Sequence, residues 1–579
     1  MGERIYNESG SKNRIRMGCM SIRKRNFMWA LLCPLVYLVV LWRIVPMVYG
    51  IVDDRTMMEI VSGQYLGRSD AHMIFTGWWY PLLLSGLYRM VPYMDWYAFG
   101  FLAIQSGCVS LMLYRLLGQE KGWQKRLLIC LELLLWSMVL GMQALTQITF
   151  TTTAAVLAVT VVFWYMTTEI FSLRNLALLF VLCVLTVELR FAVFCMLMPV
   201  CGILWLFRIW EGKEKIPGHR WVPVAAASAL LLYVLGLVIG YGSGPWRSYY
   251  EQNNTRSWIY DYDDYMFPRI EEEPELYESL GIRTKSRAKN LYYYNYTADD
   301  QITPDFFATY YEARRAQVRV RTDRSARLKE SVKAYLVNVF QGKYRSRHLL
   351  TLLGYGALVL WYAFLREWKR FLKVCCVPGV QLVLWIYLIY RGRVPERVVI
   401  TMNLMLIVPL LLLWREALSQ RRRPAVYGKA AACFLAALLC AAAVRETAAV
   451  RSANLETWKG NQNVEGLKEY CMEHPENFYF NDVTSMAMST WNVRLWRSDP
   501  YVMNYMSLGD WIGFSPLWEE KLAQQGIDSV REALYEQGNV YLICSFDRGL
   551  EYLTALYEQV SCEEVDSIHG FHIYRLQSL

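Results

Sequence analysis

Long apolar runs, each near the length needed to cross a bilayer, constrain the fold of this 579-residue chain more than any other feature. A helix needs roughly 20 mostly apolar residues to cross the hydrocarbon core. With 55% hydrophobic and 19% charged residues, the chain is too apolar for an ordinary soluble enzyme. The sequence therefore predicts a mostly α-helical, polytopic membrane protein with about eleven transmembrane helices, and an interfacial or re-entrant helix at 76–92. The predicted spans are 27–50, 95–117, 127–146, 148–169, 173–189, 191–210, 221–241, 348–366, 372–390, 399–415 and 427–446.

Short basic segments between the runs predict the orientation of the chain. Lysine and arginine are concentrated in the N-terminus and in the loops at 115–126, 208–220, 366–373 and 415–429. Because such loops stay in the cytoplasm, we expect a plasma-membrane protein with a cytoplasmic N-terminus. The predicted parts are a basic N-terminus (1–26), N-terminal membrane helices (27–241) with a first outer loop (51–94), a large outer loop (242–347), C-terminal membrane helices (348–446) and an extracytoplasmic tail (447–579).

The tail alternates segments that are typical of helices and of strands. Helices are predicted at 463–474, 529–537 and 549–559, and strands at 477–480 and 539–546. A closing hairpin is predicted over 563–576. The tail is therefore expected to form a small α/β domain of about 130 residues, near the usual size of a domain.

Charge and motif content exclude several functions. The net charge of +10 comes from basic residues in short loops between apolar runs, which indicates topology signals and no nucleic-acid partner. The sequence contains no GxxxxGK[ST], GxGxxG after a strand, GxSxG or HExxH motif. Nothing in it indicates ATP hydrolysis, so chemistry outside the cell would need a substrate that is already activated.

Two adjacent acids follow the first apolar run, in "VDDRTMMEIVSGQYLG". One interpretation is that Asp53 or Asp54 caps a helix and complements its dipole. A single acid suffices for that role, and two neighbouring anions near lipid repel each other unless a cation or a substrate hydroxyl meets them. Asp53 and Asp54 are thus candidates for a general base or for ligands of a divalent cation, Mg²⁺ or Mn²⁺.

Arginines occur in a predicted outer loop, "RGRVPERV", where the charge rule does not require them. Arg391, Arg393 and Arg397 are candidates for binding a phosphate at the outer leaflet, because guanidinium groups bind phosphate with two hydrogen bonds. The alternative is attraction to anionic headgroups. Arg190, in the outer turn "VELRF", is a further phosphate-binding candidate, although an ion pair with Glu188 would also explain it.

Other polar residues of the outer segments are candidate substrate contacts. These are Glu188, Tyr65, Asp70 and His72, together with Arg43, for which a snorkelling position at a helix end is an alternative. The aromatic segment "GDWIGFSPLWEEKL" at 509–522 suits either carbohydrate stacking or packing of the tail against the membrane helices.

The acidic outer loop, the following "LLLSGLYRMVPYMDWY", about ten more helices and an outer soluble tail together resemble GT-C-type glycosyltransferases. This multi-helix membrane class includes protein O-mannosyltransferases and lipid A aminoarabinose transferases. The segments "NNTRSWIYDYDDYMFPRIEEEPELYESLGI", "LRFAVFCMLMP" and "RGRVPERV" also resemble large membrane proteins of Gram-positive anaerobes.

The resemblance implies an enzyme that takes a sugar from a polyprenyl phosphate or diphosphate donor. The acceptor would be an envelope glycan, lipid or protein on the outer face of the membrane. Asp53 or Asp54 would deprotonate the acceptor hydroxyl or hold a cation, and Arg391, Arg393 and Arg397 would stabilise the departing lipid phosphate. The sequence leaves open a flippase or transporter of lipid-linked sugars, a polysaccharide polymerase and an inactive assembly scaffold.

Overall fold

The computed structural model is mostly helical and carries one small mixed sheet near the C-terminus. It describes residues 2–118, 120–212, 216–321, 323–419, 426–487, 489–496, 502–545, 547–556 and 560–578. Parts of the basic loops predicted at 208–220 and 415–429 lie outside these residues, namely 213–215 and 420–425.

Helices occupy every predicted span. The first ten helices are α1 (Gly2–Ile44), α2 (Val52–Ser62), α3 (Trp79–Met90), α4 (Trp96–Leu117), α5 (Trp123–Thr146), α6 (Phe150–Thr167), α7 (Leu173–Leu189), α8 (Phe191–Trp210), α9 (Val222–Tyr241) and α10 (Gly244–Asp261). The next eight are α11 (Pro274–Ser279), α12 (Lys285–Tyr292), α13 (Pro304–Arg321), α14 (Arg324–Gln341), α15 (Arg345–Phe364), α16 (Trp368–Tyr390), α17 (Glu396–Ser419) and α18 (Val426–Glu473). Short helices follow in the tail: α19 (Val483–Met486), α20 (Pro516–Gln524), α21 (Val530–Glu536) and α22 (Asp547–Thr554).

Eight helices of the described chain are long and apolar enough to cross a membrane. They are α4, α5, α6, α8, α16, the apolar part of α1, α9 with the turn before it, and nearly all of α17. Helix α7 has 17 residues, and α15 begins with the polar sequence "RSRH". The predicted class, a polytopic helical membrane protein, is confirmed, while the count of eleven crossings stays a prediction.

The sequence analysis predicted that the first apolar run remains helical to residue 50, and this bound is wrong. Helix α1 ends at Ile44, because Pro46 disfavours the helical conformation of the residue before it. The next residues form strand β1 (Val48–Tyr49), which pairs in parallel with β2 (Gln147–Ile148). The two-stranded sheet joins the end of the first helix to the start of α6, directly beside α2.

The tail contains a five-stranded sheet with the order β4-β3-β5-β7-β6. Strands β3 (Phe478–Asn481), β4 (Tyr505–Ser507) and β5 (Val540–Cys544) are parallel, whereas β6 (Val560–Ile568) and β7 (Phe571–Ser578) form the predicted antiparallel hairpin. The hairpin turn has His569 and Gly570 at positive φ, 50° and 84°, as a two-residue hairpin turn requires. The described parts of the predicted strands and helices of the tail are present, whereas residues 546 and 557–559 of these predictions lie outside the described residues. Strand β4 was not predicted.

The boundary predicted at residue 447 falls inside a helix. Helix α18 runs without interruption for 48 residues, from the last predicted span to the edge of the sheet. The segment predicted as a separate helix, 463–474, is its final part. The tail domain is therefore attached to the membrane helices by a continuous helix rather than by a linker.

The first outer loop, the large loop and the tail contact one another at one end of the helix bundle, which we call the domain end. The backbone N–H of Met503, in the tail, donates to the carbonyl of Gln64, in the first outer loop, at 2.9 Å. In the large loop, the Asn295 amide donates to Asp482 at 2.5 Å, and the Tyr249 hydroxyl donates to the carbonyl of Trp511. These contacts are compatible with the prediction that the three segments share one side of the membrane, which stays a prediction.

Candidate functional site

Asp53 and Asp54 lie in the first turn of α2 but do not cap it. The residue before the helix is Ile51, in an extended conformation, and no side chain accepts a hydrogen bond from the free N–H groups of the first turn. Both acids still complement the helix dipole. The capping interpretation therefore does not explain either side chain.

Asp54 is a buried structural acid. Its Oδ1 accepts from the Tyr97 hydroxyl at 2.7 Å and from the backbone N–H of Phe150, the first residue of α6, at 3.2 Å. Its Oδ2 has no hydrogen-bond partner among the described residues. Burial raises the pKa of this carboxyl well above its usual value. Asp54 thus joins the starts of α2 and α6 and holds its neighbour in place.

Asp53 is partly exposed and lies within a group of charges that come from distant parts of the chain. Burial raises its pKa to about 6, and Asp510 and Asp261 act in the same direction, while Arg397 and Arg190 oppose the rise. We call Asp53, Arg190, Asp261, Arg397 and Asp510 the acid–arginine cluster. The roles expected for the acids near residue 53 and the arginines near residue 395 require them to lie together, and the structure places Asp53 and Arg397 within electrostatic reach.

Arg190 lies in the turn between α7 and α8, and aromatic rings hold its guanidinium group. The group stands 5.2 Å from the centre of the Phe150 ring and 5.9 Å from that of Phe75, and it donates to the Phe75 carbonyl at 3.4 Å. Burial lowers its pKa to about 10, and the positive charges of Arg397 and Arg393 add to the effect. Asp53 and Asp261 act in the opposite direction and partly offset these positive charges.

The three arginines of "RGRVPERV" have different surroundings. Arg391 lies over the rings of Trp258 and Tyr262, 4.6 and 5.5 Å from their centres. Arg393 forms an ion pair with Asp261 at 2.6 Å. Arg397 is partly exposed and forms no ion pair within the described part of the chain. Of the three, Arg397 is the best placed to meet a ligand, while Arg391 packs against the large loop.

Sequence reasoning missed Asp261 and Asp510. Asp510 lies in the loop before α20 at a positive φ of 63°, which is uncommon for residues other than glycine. Its backbone N–H donates to the Tyr294 carbonyl at 3.3 Å, and its carbonyl accepts from the Tyr296 hydroxyl. The segment 509–522 therefore packs the tail against the large loop, and its Trp511 is buried beside Phe75 with ring centres 5.1 Å apart. Stacking of a sugar on Trp511 is excluded in this arrangement.

Asp70 and His72 were predicted as substrate contacts, but both already interact with neighbouring side chains. Asp70 accepts from His72 Nδ1 at 2.6 Å and from Arg68 at 2.7 Å, and Arg68 also pairs with Glu520 of α20. The His72 ring is stacked on Trp246 with centres 3.6 Å apart. Against the effect of burial, the bonds from His72 and Arg68 lower the Asp70 pKa to about 2. We call Arg68, Asp70, His72 and Glu520 the Asp70 network; it joins the first outer loop to the tail.

The remaining predicted contacts also lie outside the cluster. Glu188 does not pair with Arg190; its Oε2 accepts from the backbone N–H groups of Trp79 and Tyr80 at 2.9 and 3.3 Å, so it caps α3. Tyr65 is buried, with Lys521 Nζ 4.4 Å from its ring centre. Arg43 is exposed at the end of α1, the position expected for a snorkelling side chain.

The carboxylates do not fit a divalent cation held by protein ligands alone. Among the described residues, no group of three or more histidine, cysteine, aspartate or glutamate side chains is arranged to hold a metal ion. Asp54 Oδ1 accepts hydrogen bonds from Tyr97 and Phe150, so this oxygen is not directed at a site shared with Asp53. No step below is derived through Mg²⁺ or Mn²⁺.

The cluster combines a carboxylate that ionises near pH 6 with guanidinium groups from two helix ends. Such a set can accept a proton from one ligand while stabilising negative charge on another. No protein-family model, curated protein or solved structure matches the chain. The interpretation of the site therefore depends on the chemistry of these residues.

Proposed function

We propose that this chain is a membrane glycosyltransferase that moves a sugar from a polyprenyl-phosphate-linked donor to an envelope acceptor. The observation that carries the proposal is the position of Asp53, which is partly exposed beside Arg190 and Arg397. The resemblance of the sequence to GT-C-type enzymes points to the same class. Because nucleotide sugars are confined to the cytoplasm, a reaction at the outer face would use a lipid-linked donor.

In the proposed reaction, Asp53 accepts the proton of an acceptor hydroxyl. The acceptor oxygen attacks the anomeric carbon, and the bond from that carbon to the phosphate oxygen breaks. Polyprenyl phosphate leaves with the electron pair, and Arg190 and Arg397 stabilise the negative charge that develops on it. A single displacement of this kind inverts the anomeric centre.

The ionisation of Asp53 suits a general base. With a pKa of about 6, the group is largely ionised at neutral pH and a stronger base than an ordinary aspartate. A base placed within hydrogen-bond reach of the attacking oxygen contributes roughly 10²–10⁴-fold in rate. Asp54 acts as a positioning residue, and the partly exposed Asp510 is a candidate to accept a hydrogen bond from a sugar hydroxyl.

The experiment that tests the proposal compares envelope glycans of cells that lack the protein with cells that express wild type, Asp53→Asn or Asp305→Asn. Asp305 is the matched control, because it is an exposed acid in the first turn of a helix of the large loop. Wild type and Asp305→Asn are expected to restore a glycan that Asp53→Asn, present at the same level in the membrane, does not.

Restoration by Asp53→Asn would overturn the catalytic role. If Arg397→Gln failed to restore the glycan while Asp53→Asn succeeded, the site would bind and move a lipid-linked sugar without bond chemistry, as a flippase does. Unchanged glycans in cells that lack the protein would contradict both functions.

A further inference from the structure

Helix α14, in the large loop, carries two different faces. Its inner face is formed by Ser331, Tyr335 and Val339, which follow one another at four-residue spacing. Ser331 and Val339 are buried, and the Tyr335 ring lies 6.1 Å from that of Trp385 in α16. This face fixes α14 against the end of a helix long enough to span the membrane.

The outer face of α14 is apolar and exposed. Leu328, Val332, Leu336 and Phe340 also follow at four-residue spacing, so they form one stripe. Their exposed fractions are 50, 38, 48 and 52%. Four large apolar side chains in a row, each at least a third exposed, are unusual for a surface that faces water.

The two helices that pack against α14 also expose large apolar side chains. Helix α14 packs against α15 and α16. Leu350 and Leu353 of α15 are each 70% exposed, and Val383 of α16 is 67% exposed. Along the edge of the stripe stand Lys329 and Lys333, both exposed, and the helix carries four basic residues and one acidic residue. An apolar stripe edged by lysines matches the boundary between acyl chains and anionic headgroups.

We propose that α14 is an interfacial helix that lies in the plane of the bilayer, with the stripe in the acyl region and its lysines at the headgroups. This inference does not depend on the proposed function. It has a consequence for the site, because Arg327 at the start of α14 donates to the Tyr390 carbonyl at 2.7 Å and pairs with Asp264. Tyr390 directly precedes Arg391. The depth of α14 in the bilayer therefore influences the depth of the segment 391–398, which contains the three arginines.

The experiment places a photoreactive benzophenone amino acid at single positions of the full chain in vesicles of phosphatidylglycerol and phosphatidylcholine. Leu336 and Phe340 are the test positions. Val383 of α16, a helix long and apolar enough to span the membrane, is the positive control, and Tyr292, an exposed aromatic residue on α12 of the same loop, is the matched negative control. We expect lipid adducts at Leu336, Phe340 and Val383, and none above background at Tyr292.

Two outcomes would overturn the inference. Lipid adducts at Val383 without adducts at Leu336 and Phe340 would show that the stripe stays out of the bilayer. A covalent dimer formed from Leu336 would assign the stripe to a contact between two copies of the chain. In phosphatidylglycerol vesicles, the double variant Lys329→Glu, Lys333→Glu is expected to lose adducts at Leu336, and unchanged adducts would contradict the role of the lysines.

Discussion

The acid–arginine cluster and the Asp70 network use the same residue types at the same end of the molecule in opposite ways. In the Asp70 network, Asp70 is bonded to His72 and Arg68, and Arg68 reaches the tail. In the cluster, Asp53 and Arg397 face each other without a direct ion pair among the described residues and stay partly exposed. Acids and bases that already pair with each other hold a structure together, whereas partly exposed groups without such a partner are available to a ligand.

The largest difference is expected between two adjacent residues. Asp53→Asn should reduce the transfer rate by roughly 10²–10⁴-fold with little change in stability, because it removes a base and no structural hydrogen bond. Asp54→Ala should instead lower the free energy of unfolding by about 1–3 kcal/mol, because it leaves the Tyr97 hydroxyl and the Phe150 N–H without a partner. Sugar transfer by purified protein and thermal unfolding in detergent measure the two effects. A stable Asp54→Ala variant with the activity loss of Asp53→Asn would reverse the assignment.

Arg397→Gln should lower the transfer rate by roughly 10²–10³-fold, the usual effect of removing one donor to a developing negative charge. Its control is Arg345→Gln, which changes an exposed arginine at the start of α15 on the same side of the bundle. Binding of polyprenyl phosphate, measured by competition with the donor, should weaken for Arg397→Gln only. Equal binding by both variants would remove Arg397 from the phosphate site.

Asp70→Asn should act on stability instead. Because the folded pKa is about 2 and below its usual value, ionised Asp70 stabilises the fold above about pH 4, and this stabilisation disappears as the pH falls toward 2. The substitution should cost about 2 kcal/mol at neutral pH. Glu520→Gln, at the more exposed end of the same network, should cost less than about 1 kcal/mol. Thermal unfolding midpoints test this order, and an equal effect of both changes would contradict the central position of Asp70.

The smallest expected effects are shifts of the pH profile. Transfer by wild type should fall as the pH decreases through about 6, where Asp53 becomes protonated. Arg397 lowers the Asp53 pKa, so Arg397→Gln should move this fall to higher pH, by roughly one pH unit. Asp510 raises the Asp53 pKa, so Asp510→Asn should move the decrease in transfer rate to lower pH. Rate–pH profiles of the three proteins measure these shifts, and movement in the same direction for both variants would exclude the electrostatic explanation.

The membrane helices could be predicted from sequence because a continuous apolar run is a local property. The hairpin at His569 and Gly570 was also predictable, because its two strands and its turn are neighbours in the sequence. The roles of Asp70 and Glu188 could not be predicted, because their partners include Arg68 and the N–H groups of α3, and only tertiary packing decides which polar groups pair. Asp261 and Asp510 were missed because each reaches Asp53 across more than 200 residues of chain. Neither an acid at the end of α10 nor an acid in the loop before α20 carries a sequence signal for that.

Helix α18 connects the tilt of the last predicted span to the position of the sheet domain, because one continuous helix belongs to both. Its 48 residues extend over about 72 Å, more than twice the thickness of a hydrocarbon core. Since the helix is continuous, a change of 10° in the tilt of the last span would displace a free point about 40 Å farther along by roughly 7 Å. The hydrogen bonds from Arg68 to Glu520 and from Tyr49 to Trp491 join the tail to the segment that carries Asp53, so these contacts would oppose such a displacement.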